Sequence, residues 1–127
     1  TSSDGGMNWT EPEDVSELIE PVCQAGLIRY TDETNYDKNR ILFSNPASKK
    51  REMLTIKISY DEGQTWTKGK ILHSGPSAYS DLAVTKDMDI CCFYERGKEH
   101  PYETITFAKL SLAWLTDGAD VLSNQEE

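Results

Sequence analysis

One eight-residue pattern occurs twice in this chain, 57 positions apart. Ser2-Ser3-Asp4-Gly5-Gly6-Met7-Asn8-Trp9 and Ser59-Tyr60-Asp61-Glu62-Gly63-Gln64-Thr65-Trp66 carry Ser, Asp, Gly and Trp at identical spacing. Each residue type has a task in a tight hairpin. An Asp carboxylate accepts hydrogen bonds from backbone N–H groups across the turn, as in Asx-turns. Gly permits positive φ where a Cβ would clash. Trp supplies a large apolar plug that locks the hairpin onto the sheet beneath it. A hairpin repeated in this way marks a repeated β unit, most often the blade of a β-propeller.

The rest of the chain reads as strands. Residues 22–30 are apolar and lead into the turn-rich stretch 31–39, and residues 40–44 form a short apolar strand stopped by Asn45-Pro46. In residues 53–60, Leu54, Ile56 and Ile58 face one way and Thr55, Lys57 and Ser59 the other, the alternation of a half-buried strand. Residues 68–74 return after the second hairpin motif, and 79–85, 89–94 and 104–112 are three further strands with short links. The best helix candidate, Asp14-Val15-Ser16-Glu17-Leu18-Ile19, is short and ends against Pro21.

With the motif joining the third strand of a blade to its fourth, residues 22–74 make one complete blade with the second hairpin motif. Residues 75–116 supply three strands of a final blade, residues 1–21 the outer strand and hairpin of a preceding one, and residues 117–127 a polar C-terminal tail. The expected fold is all-β: part of a propeller of typically ~4–8 four-stranded antiparallel blades. Two blades cannot close a ring. The chain also opens on a residue other than Met, inside a hairpin motif, which reads as the middle of a larger protein.

Charge narrows the partners. A net charge of −9 leaves no basic stripe to neutralise phosphates, which argues against nucleic acid. It also disfavours anionic membranes, and no apolar run approaches the length of a membrane span. An anionic small ligand stays compatible where arginines reverse the field inside one cleft. Cys23, Cys91 and Cys92 form no CxxC, so neither a zinc site nor a disulfide framework is expected. The Asp-x-Gly arrangement lacks the further oxygen ligands and distal Glu of a calcium loop. His73 and His100 have no partner at ligand spacing, and no metal or cofactor is expected.

The residues after the second motif carry a family resemblance. Gly75-Pro76-Ser77-Ala78-Tyr79-Ser80-Asp81-Leu82, then Cys92-Phe93-Tyr94-Glu95-Arg96-Gly97, resembles the C-terminal part of the exo-α-sialidases (neuraminidases). Two more segments agree: Pro21-Val22-Cys23-Gln24-Ala25-Gly26-Leu27-Ile28-Arg29-Tyr30, and Leu42-Phe43-Ser44-Asn45-Pro46 followed five residues later by Arg51. The repeated hairpins are similar to the family's Asp boxes. The resemblance implies about the last two blades of a six-bladed propeller, and removal of terminal sialic acids with retention through a tyrosine nucleophile. Sialic acid carries a carboxylate on its anomeric carbon, so a neutral phenol approaches it without the like-charge repulsion that an Asp or Glu would meet.

Under the resemblance, Tyr79 matches the nucleophile and Arg51 the third member of an arginine triad that grips the substrate carboxylate. Glu95 matches a carboxylate that holds the first arginine of that triad. Gln24 occupies a position that reaches the sugar in relatives, with a buried amide satisfying backbone groups as the alternative. Asp4, Trp9, Asp61 and Trp66 belong to the Asp boxes and serve turn stability. The family's acid/base Asp, its activating Glu and its other two triad arginines match nothing in this sequence, and neither Arg29 nor Arg40 fits their motifs. The implied partners are sialylated glycans and the upstream remainder of the propeller, and the implied address is secreted or periplasmic. The alternative is a non-catalytic Asp-box propeller that binds glycan or protein.

Overall fold

The structure of the chain, a computed structural model, describes residues 1–123. Six antiparallel strands follow one another in chain order: β1 Gly26–Thr31, β2 Arg40–Pro46, β3 Glu52–Ser59, β4 Lys70–Val84, β5 Ile90–Arg96 and β6 Thr104–Leu110. A four-residue helix, α1, follows at Leu112–Leu115. The fold is all-β, and no helix among the described residues is long and apolar enough to cross a membrane.

β4 is the hinge of the architecture. The segments 68–74 and 79–85, expected as separate strands, are joined in one strand of 15 residues. Its first half pairs with β3 (Glu52↔Pro76, Thr55↔Ile71) and its second half with β5 (Ser77↔Arg96, Leu82↔Cys92). The chain changes partner at Pro76, which has no N–H to donate and so weakens neither ladder. Its carbonyl still accepts from Gly97 N at 3.0 Å.

β1 starts at Gly26, later than the apolar run beginning at residue 22, because Val22 has φ 55° and breaks the pleat. Residues 14–19 form a single turn, Leu18 N donating to Val15 O at 3.0 Å. So short a segment has too few hydrogen bonds to offset helix nucleation. It crosses the face of the first sheet instead: Lys57 Nζ donates to Glu17 O, and Asn45 Nδ2 to Ile19 O at 2.9 Å. The outer strand expected within residues 1–21 has no counterpart, since a strand needs a neighbour to pair with and no described strand lies alongside. The strand expected over 104–112 stops at Leu110, and the Ser111 hydroxyl caps α1 by accepting from Trp114 N at 3.1 Å.

The core lies between the two sheets that share β4. Leu42, Leu54, Ile56 and Ile58 meet Leu82, Ile90, Cys92, Tyr94 and Leu110, with Leu112 and Leu115 of α1 closing one end. Each such side chain contributes ~1.5–3 kcal/mol on full burial. The sheets approach so closely at Gly26 that a Cβ there would lie 2.7 Å from Ser44 Oγ and 3.2 Å from Asp81 Cα.

The two hairpin motifs share the bonds that close their turns. Ser2 Oγ accepts from Gly6 N at 2.9 Å, as Ser59 Oγ does from Gly63 N at 2.8 Å. Asp4 Oδ1 accepts from Asn8 N at 2.9 Å, as Asp61 Oδ1 does from Thr65 N at 2.8 Å. Gly6 and Gly63 sit at φ 89° and 88°. Hydrogen bonds, from Asn8 onto Asp4 and from Thr65 onto Asp61 foremost, hold both carboxyls at about 2. The tryptophans differ. Trp66 packs on Phe43 with ring centroids 5.6 Å apart, whereas Trp9 is 72% exposed. Trp9 does not plug a sheet, because no strand of its own hairpin is present among the described residues to receive it.

Residues 117–123 of the polar tail run back over the first sheet, and residues 124–127 lie outside the described part. Asp120 takes a bidentate pair from fully buried Arg40, Nε to Oδ2 and Nη2 to Oδ1, both at 2.7 Å. Asp37, Thr31 and the Lys38 carbonyl accept from Nη1, and Tyr60 Oη donates to Asp120 Oδ2 at 2.8 Å. Burial pushes the Asp120 carboxyl up, but the hydrogen bonds from Arg40 and Tyr60 and the nearby positive charges hold it at about 2. Its folded value lies below the ordinary ~3.9, so its contribution to stability is present above about pH 4 and lost as the pH falls toward 2. Asp120→Ala strips one partner from a buried charge and should cost on the order of 3 kcal/mol. Urea unfolding across that pH window checks both: wild type should lose stability there, and the variant should start lower and fall less.

Candidate active site

The backbone crossing at Pro76 and Ser77 gathers three segments that are distant in sequence. Ser77 N donates to Arg51 O at 2.9 Å, and Gly97 N to Pro76 O at 3.0 Å. The residue before β3 and the turn after β5 are thereby pinned to the middle of β4. Tyr79 stands two residues further on.

Local sequence sets each approach. Before β3, Ser48 Oγ accepts from Lys50 N and donates to Glu52 Oε1, shaping the turn that presents Arg51. Met53 at φ 62° interrupts the β3–β4 register between Glu52 and Leu54, and such a bulge re-aims the residues beside it. After β5, the Glu103 carboxylate accepts from the backbone N–H of Lys98, Glu99 and His100 at 3.0, 2.8 and 2.7 Å. Gly97 belongs there because a Cβ would lie 1.9 Å from His100 O.

The result brings Arg51 and Tyr79 together. The Arg51 guanidinium carbon lies 5.6 Å from the centroid of the Tyr79 ring and 5.8 Å from that of Tyr102. Its Nη1 donates to Tyr102 Oη and its Nη2 to Val22 O at 3.2 Å. Burial works against the charge, but the surrounding Cys23 thiol and tyrosine phenols outweigh it, and the guanidinium holds its proton more firmly than usual. Burial and the neighbouring Glu95 and Glu20 push the Cys23 thiol up, against the opposing pull of Arg51.

Tyr79 is half-exposed and lines an open cavity of ≈ 290 Å³ with Gln24, Ser80, Asp81, Phe93, Glu95 and Ile105 among its walls. Glu95 Oε2 accepts from the backbone N–H of Tyr79 at 3.1 Å, and among the described residues no arginine pairs with it. Gln24 also meets the backbone: its Oε1 accepts from Ser80 N at 3.2 Å and its Nε2 donates to Ala25 O at 2.9 Å. Ser80 Oγ bonds Ser44 O at 3.0 Å across the two sheets, fixing the strand beneath Tyr79. Asp4 and Asp61 stay in their hairpins, which share a rim cavity lined by Gly5, Gly6, Trp9, Glu62 and Gln64. Arg29 pairs with Glu62 (Nη1 to Oε1, 2.9 Å), and Arg40 lies in the buried network, so neither joins the site.

Tyr102 is the site residue the sequence did not flag. It sits in a polar turn with no motif around it. Its only local signal is an aromatic beside Pro101 in the link between two strands.

Two sheets hinged on one strand, with paired Asp-box hairpins on one rim, define a segment of an Asp-box β-propeller. Residues 1–92 match the sequence profile of the BNR repeat-like domain. The chain belongs to that family, and the relatives it matches are sialidases. It is 34% identical over 118 residues to a sialidase of Micromonospora viridifaciens, covering 90% of this chain and 18% of the relative. It is 40% identical over 76 residues to mouse sialidase-3, covering 56% of this chain and 18% of that protein. Among solved structures, the Hadza microbial sialidase Hz136 is similar at TM-score 0.65 and 34% identity, over 77% of this chain and 19% of that one. The chain therefore spans about a fifth of the length of these relatives.

Gly97→Ala should open the turn after β5 and withdraw Tyr102 from Arg51, at a cost of about 1–3 kcal/mol. Hydrogen exchange checks it: the N–H groups of residues 98–100 should lose protection while β1–β3 keep theirs. Unchanged protection in the turn would contradict the packing described at Gly97.

Proposed function

We propose that this chain is part of an exo-α-sialidase that releases terminal sialic acids from glycoconjugates with retention. Tyr79 acts as nucleophile on the anomeric carbon, and Arg51 grips the substrate carboxylate. The observation that carries this reading is the guanidinium of Arg51 standing 5.6 Å from the ring centroid of Tyr79, which itself lines an open cavity. A carboxylate held by Arg51 brings the carbon that bears it to the phenol. Planar guanidinium forks suit that grip through paired, charge-assisted hydrogen bonds.

A tyrosine phenol ionises near pH ~10 in water, so attack at neutral pH needs a neighbouring base. No residue of this chain matches the family's activating Glu, its acid/base Asp or its other two triad arginines. By itself the chain is expected to bind sialic acid weakly and hydrolyse none. Glu95, close against the backbone of Tyr79, lines the same cavity, and in this reading it receives one of those arginines. Gln24 steadies Ser80 and adds its amide to the cavity wall. In this reading residues 22–74 are one blade and 75–116 three strands of the next. A glycan substrate favours an address outside the cytosol, secreted or periplasmic.

Two variants of the intact protein test the assignment. Tyr79→Phe removes the nucleophile and keeps the arginine, so kcat should fall by orders of magnitude while affinity for sialic acid changes little. Arg51→Ala should weaken sialic acid binding tenfold or more, about the loss of one charge-assisted pair. Both are measured with a sialoside that releases a chromophore, beside a direct binding assay. Full activity in Tyr79→Phe would discard this nucleophile. Binding without turnover in the intact wild type would favour a non-catalytic binding module.

A further inference from the structure

We propose that Tyr102 is a positioning residue for Arg51: its phenol fixes the guanidinium before the ligand arrives and leaves the remaining donors aimed at a carboxylate. The proposal rests on the reading of Arg51 as the carboxylate clamp. It adds a residue from the turn after β5 that no motif marks.

An arginine has five N–H donors in a rigid plane. In Arg51, Nη1 is bonded to Tyr102 Oη and Nη2 to Val22 O at 3.2 Å, which leaves three for a ligand. The Tyr79 and Tyr102 rings stand 5.6 and 5.8 Å from the guanidinium carbon, so aromatic surfaces limit its swing. A long, solvent-facing side chain loses rotamer freedom when it binds. A contact that already holds it lowers that cost at the binding step.

Tyr102 is itself held firmly. Its ring meets the His100 ring edge-on at 4.7 Å and 64°, and its N–H donates to His100 Nδ1 at 3.3 Å. Three backbone bonds onto the Glu103 carboxylate close the turn, and Gly97 N ties it to Pro76 on the strand that carries Tyr79. Tyr102 does not line the cavity beside Tyr79. It acts on the ligand through Arg51.

Tyr102→Phe in the intact protein keeps the ring and the turn and deletes only the oxygen. With ¹⁵N-labelled arginine, the Nε–H of Arg51, assigned by its loss in Arg51→Ala, should lose order in the ligand-free variant. The Kd for free sialic acid should rise about five- to tenfold, while kcat stays within about twofold. In an Arg51→Ala background the same change should leave Kd unaltered, because the two residues act as one unit. Unaltered order of Arg51 in Tyr102→Phe overturns the proposal whatever the ligand does. Effects of the two substitutions that simply add also overturn it. If order falls but Arg51→Ala leaves sialic acid binding intact, the clamp itself is wrong, and the ligand role of Tyr102 falls with it.

Discussion

β4 belongs to two sheets at once, and the rest of the structure depends on that sharing. Its 15 residues hydrogen-bond β3 over one half and β5 over the other, with the exchange at Pro76. A strand is stiff when paired on both sides of a crossing, so the two sheets face each other at a set angle. Their inner faces then bury one continuous core from Leu42 and Ile56 to Cys92 and Leu110. The same crossing bonds the backbones of Arg51 and Gly97, so the site inherits its geometry from the fold and not from flexible loops.

The second constraint is electrostatic. The chain carries a net charge of −9, yet beside the Tyr79 ring stands an arginine with open donors. Arg40, by contrast, is fully buried and enclosed by Asp120, Asp37, Thr31 and the Lys38 carbonyl, with nothing left to offer a ligand. Two arginines thus have opposite fates. One ties the C-terminal segment to the sheet, and the other stays half-exposed with acceptors on two of its nitrogens only.

What was legible in the sequence is what local chemistry decides. The alternation of Leu54, Ile56 and Ile58 with Thr55, Lys57 and Ser59 is the alternation of β3, and Leu54, Ile56 and Ile58 are all in the core. The strand is not half-buried, however: Thr55, Lys57 and Ser59 on its other face are buried as well. The Ser-Asp-Gly-Trp motifs close on themselves through bonds no more than four residues apart. Long-range pairing was not legible. Gly75-Pro76 reads as a break, though the change of partner lets the strand run through it. Arg40 and Asp120 are 80 residues apart, and no periodicity links them. Tyr102 meets Arg51 across 51 residues because Arg51 is bonded to Ser77 and the turn that carries Tyr102 is bonded to Pro76 through Gly97. The resemblance names Tyr79 and Arg51, but their meeting beside the crossing in the middle of β4 is a property of the fold.

The central claim is that Tyr79 forms the covalent bond to the sugar while Arg51 holds its carboxylate. A sialosyl donor bearing fluorine substituents that slow breakdown of the glycosyl-enzyme, followed by peptide mass mapping of the intact protein, tests it directly. The account predicts the added sialosyl mass on Tyr79, absent in Tyr79→Phe and much reduced in Arg51→Ala. Label on any other residue, or turnover of the donor with Tyr79 left unmodified at every time point, would contradict it.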